Sequence, residues 1–191
     1  MAIEGNSGTN PGRRLRLGMV GGGEGAFIGA VHRMAARIDD RYEFVAGALS
    51  SDPVRARASG AALRLAPDRI YDSFAAMAAA ERQRKDGIDV VAIVTPNHLH
   101  HAVANAFLAA GIHIICDKPM TTSLADAADL VARVERSGCL FALTHTYSGY
   151  PMVRQAREMV TGGALGPIRT VQAEYAQDWL ATALESTGQK Q

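Results

Sequence analysis

The chain has 191 residues, 48% hydrophobic and 20% charged, the make-up of an ordinary globular protein rather than a disordered, collagen-like or disulfide-framed one. Twenty Lys and Arg against nineteen Asp and Glu leave a formal charge of +1, so no net field draws it to nucleic acid or to an anionic membrane. No run approaches the roughly 18 consecutive apolar residues of a membrane span, and no nucleic-acid or membrane partner is expected; a cytoplasmic location is. Cys116 and Cys139 sit inside apolar runs, where a thiol behaves as a small hydrophobe. At roughly 100–200 residues per domain, the length predicts one complete domain and part of a second.

Residues 1–12, rich in Gly, Asn, Ser, Thr and Pro, read as a leader outside the fold. Short apolar runs follow at 15–20, 44–49, 70–71, 89–94, 112–116 and 140–143. Most lack polar alternation, as strands buried on both faces of a parallel sheet do. Helical patterns fill the gaps. The first carries an expected apolar face of Phe27, Val31, Ala35 and Ile38. Asp52-Pro53 offers a cap and a first-turn proline for the second. Asn97 is the expected N-cap of a helix with Leu99, Val103, Ala106, Phe107 and Ala110 on one face, stopped by Gly111. Ser123 with Asp126 reads as a capping box ahead of Leu124, Ala127, Leu130, Val131 and Val134. The alternation predicts an α/β domain with a doubly wound parallel sheet over residues 13–144, its crossovers right-handed. From 145 the character changes to a polar aromatic stretch, a helix at 152–160, a turn and a strand at 168–175. One helix and one strand cannot bury a core alone, so 145–191 reads as the incomplete start of an α+β second domain.

Four features carry chemistry. Gly21-Gly22-Gly23-Glu24-Gly25-Ala26-Phe27-Ile28-Gly29 lies between the first strand and its helix. A diphosphate needs backbone N–H groups at close range and a helix N-terminus, and side chains in the turn would block it. Gly21, Gly23, Gly25, Phe27 and Ile28 are the candidates there. The second strand ends in Ser50-Ser51 rather than in the acidic residue that binds a ribose 2′-OH. With Arg55 next to them, these hydroxyls suit a 2′-phosphate, so the cofactor is NAD or NADP with a lean to NADP. Asp52 reaching the ribose, and Arg55 and Arg57 as solvated helix charges, are the alternatives.

Thr95-Pro96-Asn97 with His100 stands at the carboxyl end of another strand, where open α/β sheets bind ligands. His98, His100 and His101 lack the i, i+4 spacing and the acidic or thiol partner of a zinc site, so no metal is expected. The last feature is Asp117-Lys118-Pro119. A Lys-Pro bond can be cis at small cost. An ammonium at this edge can hydrogen-bond a substrate hydroxyl and stabilise charge on its oxygen. The alternative is a surface lysine paired with Asp117.

In this order the glycine turn, Thr95-Pro96-Asn97 with His100, Asp117-Lys118-Pro119 and the turn Gly163-Ala164-Leu165-Gly166-Pro167-Ile168 resemble the amino-terminal half of the Gfo/Idh/MocA oxidoreductases. The resemblance implies a Rossmann domain for NAD or NADP, then a domain that closes the substrate site and commonly makes the full-length protein a homo-oligomer. It implies hydride transfer between nicotinamide and a secondary alcohol of a small-molecule sugar, inositol or polyol. Lys118 and Asp117 are then the catalytic pair, Lys118 holding the substrate hydroxyl. Thr95, Pro96, Asn97, His100, Lys118 and Pro119 line the ribose and nicotinamide, and Tyr147 and Tyr150 serve substrate.

Four departures stand out. The glycine turn is about three residues longer than the family's, Asp117 replaces a Glu, and Ser148 stands where an arginine is usual. No residue from 176 to 191 matches the family's second-domain acid and histidine base. The expectation is therefore the cofactor half of an enzyme, inactive alone. A non-catalytic dinucleotide-binding or redox-sensing module is the alternative, and a scaffold binding no dinucleotide a third reading.

Overall fold

The computed structural model describes residues 12–176 together with Ala181 and Ala183. The expected leader at 1–12 and the stretch 176–191, where no histidine base is matched, thus fall largely outside the described residues. The chain divides into two compact units after His145.

The first unit alternates strands and helices: β1 (Leu15–Gly21), α1 (Phe27–Ile38), β2 (Tyr42–Ala48), α2 (Pro53–Ala62), α3 (Phe74–Gln83), β3 (Val90–Val94), α4 (His100–Ala109), β4 (His113–Cys116), α5 (Leu124–Ser137) and β5 (Phe141–Leu143). The sheet runs β2-β1-β3-β4-β5 with every pair parallel. The chain winds outward from β1 to β2 on one side and from β3 to β5 on the other. The reversal between β1 and β3 opens a crevice at the carboxyl ends of the strands. The brief run at 70–71 forms one parallel bridge, Gly47 to Ile70.

β3 is buried along its whole length, which is why its sequence is a continuous apolar run. Val91, Ile93, Ile114, Val103, Phe107 and Leu130 pack on one face of the sheet, and Leu17, Met19, Leu49, Val90 and Val94 on the other. Each large side chain so buried contributes roughly 1.5–3 kcal/mol. Two of the expected caps form. Asp52 accepts the Val54 and Arg55 N–H groups at 2.8 and 3.1 Å, and Ser123 accepts that of Asp126 at 3.1 Å. Asn97 does not cap α4. It opens a 3-10 turn in which the Leu99 N–H bonds to the Pro96 carbonyl at 3.0 Å, and this tight turn replaces a side-chain cap. On α5 Leu130 is fully buried, whereas Leu124 and Val131 are exposed.

The expected face of α1 is wrong. Phe27, Val31, Ala35 and Ile38 are all exposed, while Ile28, Gly29, His32, Arg33 and Ala36 turn inward. The helix is rotated by close packing: a Cβ on Gly29 would collide with the Cα of Gly22. Only with glycine inward does α1 come down on the turn that precedes it, and its bulkier apolar side chains are carried outward.

A buried polar network fixes the segment between α2 and α3. Glu81, on α3, accepts from Arg69 Nε at 3.1 Å, from the Tyr71 hydroxyl at 2.7 Å and from the Ile88 N–H at 3.0 Å. Burial, then the Glu81 hydrogen bond, push the Tyr71 hydroxyl well above its ordinary range. Both Glu81 carboxylate oxygens thus meet donors in the interior.

The second unit holds a 3-10 turn (Thr146–Gly149) and a helix, α6 (Pro151–Thr161). The strand expected at 168–175 does not form. A strand needs a neighbour to take its N–H and C=O groups, and the described residues of this unit include no other extended strand.

Candidate dinucleotide site

The crevice between the carboxyl ends of β1 and β3 encloses about 710 Å³. Its floor is the turn after β1. Gly21 and Gly22 have φ of +81° and +72°, a region that costs any other residue steric strain. Gly23 donates to the Leu49 carbonyl at 3.2 Å, and a Cβ on it would lie 2.7 Å from that oxygen and 2.8 Å from Ser59 Oγ. The same buried Ser59 hydroxyl accepts the Glu24 N–H at 3.0 Å, and Arg33 donates to the Gly22 carbonyl at 2.8 Å. The turn is thus braced from below by α2 and α1. At its far end α1 begins with no side-chain cap and no acidic residue in its first turn. Its first N–H groups are free to meet an anion.

Gly21, Gly23, Ser50, Ser51, Arg55, Thr95 and Pro96 all line the crevice. Ser50 Oγ accepts the Asp52 N–H at 3.1 Å. Asp52 Oδ1 accepts the first N–H groups of α2. Arg57 pairs with Asp72 at 3.0 Å, whereas the Arg55 guanidinium has no ion-pair partner among the described residues. Thr95 Oγ1 is buried and bonded to nothing in the described protein. A cradle closed to side chains, an uncapped helix and an orphaned hydroxyl together fit a dinucleotide.

Other expected residues lie elsewhere. Gly25 and Phe27 border an adjacent hollow between α1 and α2, and Phe27 is 81% exposed. Ile28 packs into the core. Asn97 is exposed and off the crevice wall. His100 is wholly buried behind it, its ring against the Thr95 and Pro119 carbonyls, and is not part of the crevice lining. Lys118 and Pro119 are exposed just past β4, with a cis bond between them. Lys118 has no partner among the described residues. The pairing of Lys118 with Asp117 is absent: Asp117 instead accepts the Thr144 hydroxyl at 2.8 Å and lies 4.0 Å from His32 Nε2. Burial lowers the His32 pKa against the pull of Asp117. Burial, then Asp117, push the Cys116 thiol up to about 12, so it is no nucleophile near neutrality.

Tyr147 and Tyr150 belong to the second unit, stacked edge to face at 5.4 Å, with the Tyr147 hydroxyl 2.6 Å from that of Tyr175. No three His, Cys, Asp or Glu side chains gather to hold a metal among the described residues. No described helix is long and apolar enough to cross a membrane.

The sequence reading missed Asp72, Ser73, Phe74 and Leu99, which complete the crevice wall, and dismissed His98, which stands beside them. Only the bridge at 70–71 hinted that the chain returns to the sheet edge there. Ser59 gave no signal, being one small residue among several on α2.

Known proteins share this arrangement. The family model described as an oxidoreductase family with an NAD-binding Rossmann fold matches residues 15–145. Levoglucosan dehydrogenase of Pseudarthrobacter phenanthrenivorans is 32% identical over 88% of this chain and 43% of its own length. An oxidoreductase from Sinorhizobium meliloti is 60% identical, with a TM-score of 0.78 over 82% of this chain and 44% of that one. An inositol dehydrogenase homolog from Azotobacter vinelandii, complexed with NADH and myo-inositol, is 38% identical, with a TM-score of 0.80 over 83% of this chain and 42% of that one. The chain spans well under half the length of these relatives. With its parallel β2-β1-β3-β4-β5 sheet and glycine cradle, the chain belongs to the Gfo/Idh/MocA oxidoreductases and carries their NAD-binding Rossmann fold.

Proposed function

We propose that this chain is the cofactor-binding half of an NAD(P)-dependent dehydrogenase acting on a secondary alcohol of a sugar, inositol or related polyol. The observation that carries the reading is the closed glycine cradle at the uncapped start of α1, beside the orphaned Thr95 hydroxyl. When bound, the dinucleotide supplies hydride transfer. The Gly23 turn and the first N–H groups of α1 would hold its diphosphate, and Thr95 with Pro96 would border the neighbouring ribose. Lys118 would donate to the substrate oxygen and stabilise negative charge there. Asp117, anchored by Thr144, would keep the start of that segment in place. The substrate class rests on the levoglucosan and myo-inositol relatives.

For the cofactor we favour NADP. Ser50, Ser51 and the Arg55 guanidinium, which has no ion-pair partner among the described residues, border the crevice, and β2 runs into these hydroxyls rather than into an acidic residue. Calorimetric titration of the chain with NAD and NADP tests both points. Binding of either supports the reading, and a folded chain that binds neither overturns it. Arg55→Ala should weaken NADP binding about 10-fold, worth about 1.4 kcal/mol, and leave NAD within about 2-fold. Equal loss for both would sink the 2′-phosphate assignment.

A further inference from the structure

His100 is the first residue of α4 and is completely buried. Its ring bridges two segments from different strands. Nδ1 lies 2.7 Å from the Pro119 carbonyl oxygen and Nε2 lies 3.0 Å from that of Thr95. Both partners are acceptors, and the ring fills the space between them. The segments joined are the ones that matter most to the reading above. Thr95 borders the crevice at the end of β3, and Pro119 follows Lys118 beyond β4.

We propose that His100 is a positioning residue, a tether whose two ring nitrogens each lie within hydrogen-bond distance of one carbonyl and which so fixes the Asp117-Lys118-Pro119 segment against the crevice wall at Thr95. The β3–β4 hydrogen bonds end near Asp117, whose N–H bonds to the Ile93 carbonyl at 2.9 Å. Past that point the His100 ring is the link between the crevice wall and the Lys118 segment. Holding a substrate-binding ammonium at constant distance from a cofactor is a task for a short, fully buried bridge, because a rigid support loses little on binding.

The functional part of this proposal rests on the dehydrogenase reading, but the tether itself is tested without ligand. In long-range proton–nitrogen spectra of the chain, a His100 ring N–H should be seen and should exchange slowly with solvent. A ring N–H that exchanges as fast as that of an exposed histidine would overturn the tether. His100→Phe keeps a ring and its packing but removes both nitrogens. It should move the backbone amide signals of Lys118 and Thr95 and weaken NADPH binding about 10-fold, followed by cofactor fluorescence. His100→Gln, which keeps a donor, should stay within about 3-fold. A folded Phe variant with wild-type Lys118 and Thr95 signals overturns the proposal, and so does one with wild-type NADPH affinity. If the Phe variant does not fold, the ring spectrum of the wild-type chain still decides. If the wild-type chain binds no dinucleotide, the dehydrogenase reading fails, while the ring and amide signals continue to judge the tether.

Discussion

Gly29, in the first turn of α1, presses its backbone on Gly22, so that no side chain fits between them. This contact sets how α1 meets the sheet. It brings the helix start down onto the glycine cradle and turns His32 toward Asp117, 4.0 Å away. Because the collision is with backbone, no rotamer change relieves it. Gly29→Ala should therefore destabilise the chain by about 1–3 kcal/mol, read from the shift of a urea unfolding midpoint.

Gly23 should respond in binding instead. A Cβ there meets the Leu49 carbonyl and the Ser59 hydroxyl, and the turn must move away from both. Gly23→Val should cut dinucleotide affinity at least 10-fold while the far-UV spectrum is kept. Calorimetry on the folded variant measures it, and undiminished binding would remove Gly23 from the cradle.

Lys118 lies off the wall of the crevice and has no protein partner among the described residues. Lys118→Ala should thus leave the dinucleotide affinity of the chain within about 2-fold. A large loss would move Lys118 from the substrate to the cofactor, and the same titration reports it.

Glu81 gathers donors from Arg69, Tyr71 and the Ile88 backbone. Its removal strands the buried Arg69 guanidinium, so Glu81→Ala should cost about 3–5 kcal/mol. The lowered melting temperature is the readout. The crevice wall at Asp72–Phe74 hangs from this network, and its amide signals should broaden or shift in the same variant.

Asp89 carries a pH dependence. Burial opposes its charge, but hydrogen bonds from Arg13 and from the Arg16 backbone and side chain outweigh it and bring the carboxyl down to about 2. A carboxyl depressed on folding stabilises the fold above its unfolded pKa near 4, and that contribution vanishes as pH falls toward 2. Asp89→Asn should cost about 1–2 kcal/mol at pH 7 after screening of the half-exposed Arg13 is allowed for. Unfolding curves of the two proteins should converge between pH 4 and pH 2; a constant gap would assign the loss to geometry.

Much of the fold was legible because its signals are local. β3 is a run of five apolar residues that both sheet faces bury, and α4 repeats Val103 and Phe107 at helical spacing with both at zero exposure. Asp52 and Ser123 cap the helices they precede, since a cap involves neighbours two or three residues away. α1 misled because its outward stripe of Phe27, Val31 and Ile38 is as periodic as an inward one, and hydrophobic spacing alone does not say which face a glycine will claim. The strand expected at 168–175 failed for a related reason, as its propensity was local but its hydrogen-bond partners were not.

The sequence by itself determined the strand and helix alternation, the parallel sheet, the glycine cradle and the residues Ser50, Ser51, Arg55, Thr95 and Pro96 that border it, because each is written in a spacing of a few residues. Tertiary structure alone decided that Ser59 and Arg33 brace the cradle, and that His100 sits behind the wall between two carbonyls. Those roles depend on which segments the sheet order brings within about 3 Å of one another, the reach of a hydrogen bond, and no local pattern encodes that distance.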